Sequence, residues 1–343
     1  MKVFFAGVPG GGTMGNCKRE RQLSKFFTSR LWSYYYLIEN KDGMKKKKKI
    51  KLFLDSGAYS AKTQGIEINI DDYIKFIKKH ENKLELYANL DSIGSAEKSW
   101  ENQKYMEKQG LHPIPVYHYG EDVSYLERYV KNYDYIALGG LVGSSSSSLI
   151  KWLDEIWKNY ILDETGLPKV KVHGFGLTSL KLMLRYPWYS VDSTSWVMTG
   201  RMGSIYVPKY KKGRWIYDEN SWKISVSSTS PDIKKKGQHI SNISFEEKKV
   251  ILSYLEEKGY NLGKSCFKME PQDYSLAENE KWSEKKPKDK NKKREVEIII
   301  ERGVSNCYKL RDEVNIQYFL DLENSMPKWP WAFDMGKQGK SLF

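Results

Sequence analysis

Short apolar blocks alternate with stretches of helical spacing along the first two hundred or so residues of this chain. Lys2–Gly7 is a short apolar run. Leu23–Glu39 sets Phe26, Phe27, Leu31, Trp32, Tyr35 and Tyr36 at near-helical spacing, which predicts a helix packed on a sheet. Ile50–Leu54 reads as a strand, Ile70–His80 as a helix, Leu84–Leu90 as a strand and Ala96–Gln109 as a helix. Ile114–Tyr117, Tyr135–Leu138, Val170–Val172 and Tyr189–Val191 continue the strands; Val123–Asn132, Leu149–Tyr160 and Leu177–Tyr186 supply the helices between and after them. Strand, helix, strand in this rhythm calls for parallel pairing with right-handed crossovers. So many units favour an α/β fold of the (β/α)8 TIM-barrel type over an open doubly wound sheet, and no GxGxxG opens the first unit.

The rhythm then weakens. Arg201–Ser230 is rich in Tyr, Trp and Gly and is expected to supply the last strand and an insertion. Ser244–Lys258 is an amphipathic helix with a capping-box pattern at Ser244 and Glu247. Glu278–Glu295 is strongly basic and reads as an exposed loop or a nucleic-acid contact. Val296–Ile300 is an apolar run, Asn315–Leu322 a terminal helix, and Met326–Phe343 carries no periodicity. The expected division is a catalytic barrel core over 1–230, with an N-terminal strand and a basic insertion. Residues 231–343 form a helical, basic extension that completes the barrel or contacts nucleic acid.

Composition narrows the partners. A chain of 343 residues with 40% apolar content, 11 Trp, 24 Tyr and 12 Phe has a substantial core. Its net charge of +14 suits a polyanion, nucleic acid first and an anionic membrane surface second. No run approaches a membrane span, so no membrane partner is expected, and MKVFFAGVPGGG is too short and Gly-broken for a signal peptide. Cys17, Cys266 and Cys307 form neither a disulfide ladder nor a CxxC metal spacing. A reducing cytoplasm is the default compartment. The glycines at Gly10–Gly12 lack the Lys-Ser/Thr pair of a phosphate loop and read as a loop at a strand end. The five lysines Lys45–Lys49 are a solvated loop or a phosphate contact.

The chemistry concentrates where strands stop. Asp55, Asp91, His118, Gly139-Gly140, His173 and Asp192 all follow an apolar run directly, and in a parallel barrel these carboxyl ends gather on one face. Carboxylates crowded into one pocket separate their pKa values, so that one acts as acid while another stays ionised. Two such groups suffice for a retaining displacement at an anomeric carbon. A third, Asp91, suits the N1–H and amino donors of a guanine, and a backbone N–H at Gly139-Gly140 suits its O6.

The set Leu54-Asp55-Ser56-Gly57-Ala58-Tyr59, Asp91, Ala137-Leu138-Gly139-Gly140-Leu141-Val142-Gly143 and Val191-Asp192 with Gly200-Arg201-Met202-Gly203 resembles the tRNA-guanine transglycosylases. It is more similar still to their phage-encoded relatives, which exchange guanine in DNA for a 7-deazaguanine. The resemblance covers roughly 52–203 and implies Asp192 as nucleophile at C1′ and Asp55 as general acid/base. It implies Asp91 as reader of the guanine donor edge, Tyr59 as the stacking aromatic, Gly140 as donor to O6 and Leu141 as pocket wall. Ser56, Gly139 and His173 belong with them in the base pocket. His118 stands where the family places a glutamine that contacts O6. Arg201, Lys45, Lys46 and Lys47 are expected on the nucleic-acid backbone. The family's CxCxxC zinc site and the arginine-rich segment beside it have no counterpart, which favours DNA over tRNA. No cofactor is implied. The partners are DNA, free guanine and a 7-deazaguanine such as preQ0, and a homodimer is left open.

Plainer readings stand beside these. Asp192 followed by Ser193 and Thr194 is also an N-cap pattern. Tyr59 reads equally as a core aromatic, His118 and His173 as interior histidines, Gly139-Gly140 as a tight turn, and Arg201 as a helix cap or a partner of Asp192. The whole chain is alternatively a zinc-less tRNA transglycosylase, a non-catalytic basic barrel that binds nucleic acid, or a retaining glycosidase.

Overall fold

The computed structural model describes residues 1–7, 18–26, 28–37, 51–143, 145–177, 179–219, 221–289 and 291–333. The chain divides into two compact units, Met1–Thr194 with Glu323–Phe343, and Ser195–Leu322. Gly10–Gly12, Cys17, Lys45–Lys49 and the end of the tail lie outside the described residues.

In the first unit, β1 (Lys2–Phe5), α1 (Lys18–Lys25), β2 (Ser29–Ser33), β3 (Leu52–Asp55), α2 (Ala58–Thr63), α3 (Ile70–His80), β4 (Leu86–Tyr87) and α4 (Ala96–Lys108) come first. Then follow β5 (Val116–His118), α5 (Val123–Asn132), β6 (Tyr135–Gly139), α6 (Ser146–Ile156), β7 (Lys171–Gly174), α7 (Leu180–Arg185) and β8 (Ser190–Ser193). The strands form one eight-stranded parallel sheet in the order β4-β3-β2-β1-β8-β7-β6-β5, a curled α/β architecture flanked by helices and compatible with a TIM-like barrel. A single parallel bridge, Ala88↔Ile114, lies just beyond β4 and just before β5, with the Asn89 amide donating to Ile114 O at 3.0 Å.

All strands but the half-buried β4 are largely buried on both faces. Phe4, Leu31, Phe53, Ala88, Val116 and Ala137 pack together on one side of the sheet, while their neighbours Trp32, Leu52 and Leu54 pack with Tyr73, Ile77 and Met106 of the helices on the other. This explains the one element that periodicity misreads. The Leu23–Glu39 stretch is not a single helix: α1 ends at Lys25, β2 follows, and Tyr34–Leu37 is one 3-10 turn. In β2 (Ser29–Ser33), Leu31 belongs to the inner cluster and Trp32 to the outer one, and Arg30 is buried as well, so the strand shows no apolar/polar alternation for periodicity to read. Helix starts follow capping chemistry. Asn69 accepts from the amides of Asp71 and Asp72, Ser95 from Lys98, and Ser145 from Ser148.

In the second unit, α8 (Ser195–Arg201) precedes β9 (Ser204–Val207), β10 (Lys209–Lys211), β11 (Arg214–Ile216) and β12 (Trp222–Ser225). The expectation of a last barrel strand here is corrected: β9 pairs antiparallel with β12 in a separate two-stranded sheet, and with β2 counted the large sheet is already complete at β8. α9 (Phe245–Glu257) carries both halves of the Ser244/Glu247 capping box. β13 (Lys264–Glu270), β14 (Glu280–Trp282) and β15 (Arg294–Glu301) form an antiparallel sheet, and α10 (Tyr308–Ser325) closes the order. Glu278–Glu295 is therefore not all loop: β14 lies within it. Among the described residues no helix is long and apolar enough to cross a membrane.

Ile77 has no exposed surface and anchors α3 on the sheet. Ile77→Ala is expected to cost about 2–5 kcal/mol of unfolding free energy in denaturant titration, the range for a buried aliphatic truncated to a cavity.

Candidate active site

Register decides which strand-end side chains meet. Asp192 lies opposite Phe4, Ser190 opposite His173, Ala137 opposite His173, and His118 opposite Gly139. Because side chains alternate along a strand, sharing a row with Phe4 and Ala137 puts Asp192, His173 and His118 on the inner face. Asp55 is two residues beyond Phe53 and takes the same face at the end of β3.

Two hydrogen-bonded networks and one isolated carboxyl result. In the first, Ser56 Oγ donates to Asp91 Oδ1 at 2.6 Å, and His118 Nε2 meets Asp91 Oδ2 at 3.0 Å. His118 Nδ1 lies 3.3 Å from Glu121 Oε1, and the His118 amide donates to Glu121 Oε2 at 2.9 Å. Burial opposes a charge on this imidazole, but its hydrogen bonds to Asp91 and Glu121, and their negative charges, outweigh burial and raise its pKa to about 9. His118 is thus an imidazolium at neutral pH, clamped between two acids. The clamp requires a glycine opposite: a Cβ on Gly139 would stand 2.5 Å from His118 Cδ2 and 2.8 Å from Nε2.

In the second network, Gly176 N–H donates to Asp192 Oδ1 at 2.7 Å and His173 Nε2 approaches the same oxygen at 3.3 Å. His173 Nδ1 is 2.6 Å from Ser190 Oγ, which also meets the Tyr135 hydroxyl. His173 is fully buried, with the rings of Phe53 and Phe175 at 4.7 and 4.6 Å. Burial lowers its pKa despite Asp192, so it is neutral. A carboxylate accepts only, so the single N–H sits on Nε2, and Nδ1 accepts from Ser190, which in turn accepts from Tyr135. The chain from Tyr135 to Asp192 has one direction. It fixes Oδ1 and, among the described residues, leaves Oδ2 without a hydrogen bond.

Asp55 belongs to neither network. The Gly57 amide donates to its Oδ2 at 3.2 Å, in a turn where Gly57 adopts φ 80° and a Cβ would meet Ser33 Oγ at 2.4 Å. Although some of its surface is accessible, the carboxyl is densely surrounded by protein. Burial first, then the charges of Asp91 and Asp192, raise its pKa to about 8, against the smaller pull of Gly57 and His118. Asp55 therefore holds a proton at neutral pH beside Asp91 and Asp192. Asp55 thus lies near enough to Asp91 and Asp192 for the charges of both to act on it.

Other expected residues fall as follows. Tyr59 is 58% exposed at the start of α2, not a core aromatic, and Leu141 is buried. Gly140 takes φ 74° next to Tyr119. A groove of about 920 Å³ opens beside Asp91, lined by Ala58, Lys62, Ile66, Lys98 and Asn102 among others. Arg201 is exposed and belongs to the second unit; Lys45, Lys46 and Lys47 lie outside the described residues. Glu121, Ser190, Tyr135 and Gly176 are participants that the sequence reading omits. Ser190 had a signal, since it stands two residues before Asp192 on one strand and so faces the same way. Family models, characterised proteins and solved structures, each compared with the chain, yield no match.

The raised pKa of Asp55 predicts a stability signature. Between its usual carboxylate value and about 8, the folded chain holds a proton that the unfolded chain releases, so stability falls as pH rises through that window. Asp55→Asn removes this fall. Its thermal midpoint is expected to exceed the parent's by a margin that grows from pH 5 to pH 8 in scanning calorimetry; His118 titrates in both proteins and leaves the comparison intact.

Proposed function

We propose that this protein is a guanine transglycosylase acting on DNA, its large sheet closed as a (β/α)8 barrel through the Ala88↔Ile114 bridge, and that it exchanges guanine for a 7-deazaguanine by double displacement. One observation carries the reading: a protonated carboxyl, Asp55, shares a site with Asp192, a carboxylate fixed through one oxygen and free at the other. That is the division of labour a retaining displacement needs. The motif resemblance over 52–203 supplies the substrate class, and the net charge of +14 supports a nucleic acid.

In the reaction, Asp192 Oδ2 attacks C1′ of the nucleotide. The C1′–N9 bond breaks as the C1′–O bond forms, and Asp55 gives its proton to the departing guanine. The ionised Asp55 then takes the N9 proton of the incoming base, N9 attacks C1′, and Asp192 is released. Asp91 accepts from the donor edge of the base through lone pairs not used by Ser56 and His118. Both ring N–H groups of His118 already face carboxyl groups, so it serves the base by holding Asp91 in place rather than by touching O6. A base inside duplex DNA must leave the stack to reach this site.

Incubating the protein with duplex DNA, bulk tRNA and labelled guanine or preQ0, followed by nucleoside mass spectrometry, is expected to find label in DNA. Label in tRNA alone would move the activity to the tRNA branch, and label in neither would reject base exchange. Asp192→Asn is expected to lose about three orders of magnitude or more in rate, together with the covalent protein–DNA adduct. The rate of guanine release is expected to fall above pH 8, as Asp55 loses its proton.

A further inference from the structure

Lysines in the three-stranded sheet of the second unit are of two kinds. Two on its strands are neutralised: Lys268 pairs with Glu280 at 2.8 Å and Glu270 at 3.3 Å, and Lys281 with Glu297 at 3.1 Å. The described ones on the connection between β14 and β15 are not. Lys285, Lys286, Lys288, Lys292 and Lys293 are exposed, and among the described residues none of them forms an ion pair. Such a density of like charge is self-repelling unless a polyanion covers it.

The described residues of the connection are nevertheless held in shape. Gln272 Nε2 donates to the carbonyls of Asp289 at 2.6 Å and Lys292 at 3.0 Å, and the Asn291 amide donates to Asp289 Oδ1 at 3.0 Å. At its base, Ser283 Oγ donates to Glu295 Oε2 at 2.7 Å, Arg294 Nε to Glu284 O at 2.7 Å, and the Arg294 guanidinium lies 4.5 Å over the Trp282 ring. The local acids thus bind within the hairpin and leave the lysines unpaired. Lys286, Lys288, Lys292 and Lys293 line one concavity of about 660 Å³, where Asp273 is the sole acid among the lining residues.

We infer that this pinned, lysine-lined hairpin is a docking surface for the phosphate backbone of duplex DNA. The inference rests on nucleic acid being the partner proposed above, but not on base exchange. Lysine ammonium groups contact phosphates as point charges without reading sequence, so the surface supplies affinity and orientation, not specificity.

The test compares the full chain with a variant carrying Lys286→Gln, Lys288→Gln, Lys292→Gln and Lys293→Gln. A control carries Lys223→Gln, Lys234→Gln, Lys236→Gln and Lys249→Gln, which changes net charge equally at exposed sites elsewhere in the unit. Anisotropy of a labelled duplex is followed from about 50 to about 200 mM salt, where each lost phosphate contact lowers the slope of log affinity against log salt by about 0.9. The hairpin variant is expected to lose about 3.6 units of slope and at least tenfold in affinity at intermediate salt, with an unchanged thermal midpoint. The control should lose much less of both. Equal losses in the two variants, or no duplex binding by the parent, would overturn the inference. So would a hairpin variant that binds duplex normally but no longer binds phosphatidylserine vesicles, which would make a lipid surface the partner. Should the hairpin result hold while no base is exchanged, the docking surface stands and the catalytic proposal falls.

Discussion

The constraint at the carboxyl ends of the parallel strands is the repulsion that the charges of Asp91 and Asp192 exert on the buried carboxyl of Asp55. Asp55 lies within electrostatic reach of Asp91 and Asp192, and densely walled surroundings do not favour uncompensated charges close together. The chain answers each differently. Asp91 receives an imidazolium and a serine hydroxyl, and Asp192 receives a backbone amide and a neutral imidazole. Asp55 receives one glycine amide and keeps its proton. Three chemically identical side chains become an anchor, a fixed carboxylate and an acid through their surroundings alone.

The supporting residues follow from that division. A second acid, Glu121, is needed to hold His118 charged against burial, and Gly139 gives the ring its place. His173 has to stay neutral to act as a one-way link, which the phenylalanine rings around it ensure. The isolated, proton-holding Asp55 is costly to the fold above neutral pH, the usual trade between stability and a reactive site.

The strand ends were legible in the sequence because each apolar run stops on a polar residue, and parallel topology gathers those stops on one face. β2 was not, since a strand covered on both sides leaves no alternation to read in Arg30-Leu31-Trp32. Glu121 and Tyr135 were hidden for another reason. Tyr135 opens an apolar strand and meets Ser190 only across the sheet, whereas Glu121 sits in an ordinary Gly-Glu-Asp turn whose folding back onto His118, three residues earlier, no pattern announces. The charge of Glu278–Glu295 was visible, but the separation of paired strand lysines from unpaired loop lysines required knowing where β14 lies.

The most direct measurement of the central claim is carboxyl carbon NMR of the protein labelled at aspartate, followed over pH, with Asp55→Asn to assign the signal. The account predicts one aspartate resonance titrating near pH 8 that vanishes in the variant. If the Asp55 signal instead titrates in the ordinary carboxylate range, the site holds no ready acid and the account is contradicted.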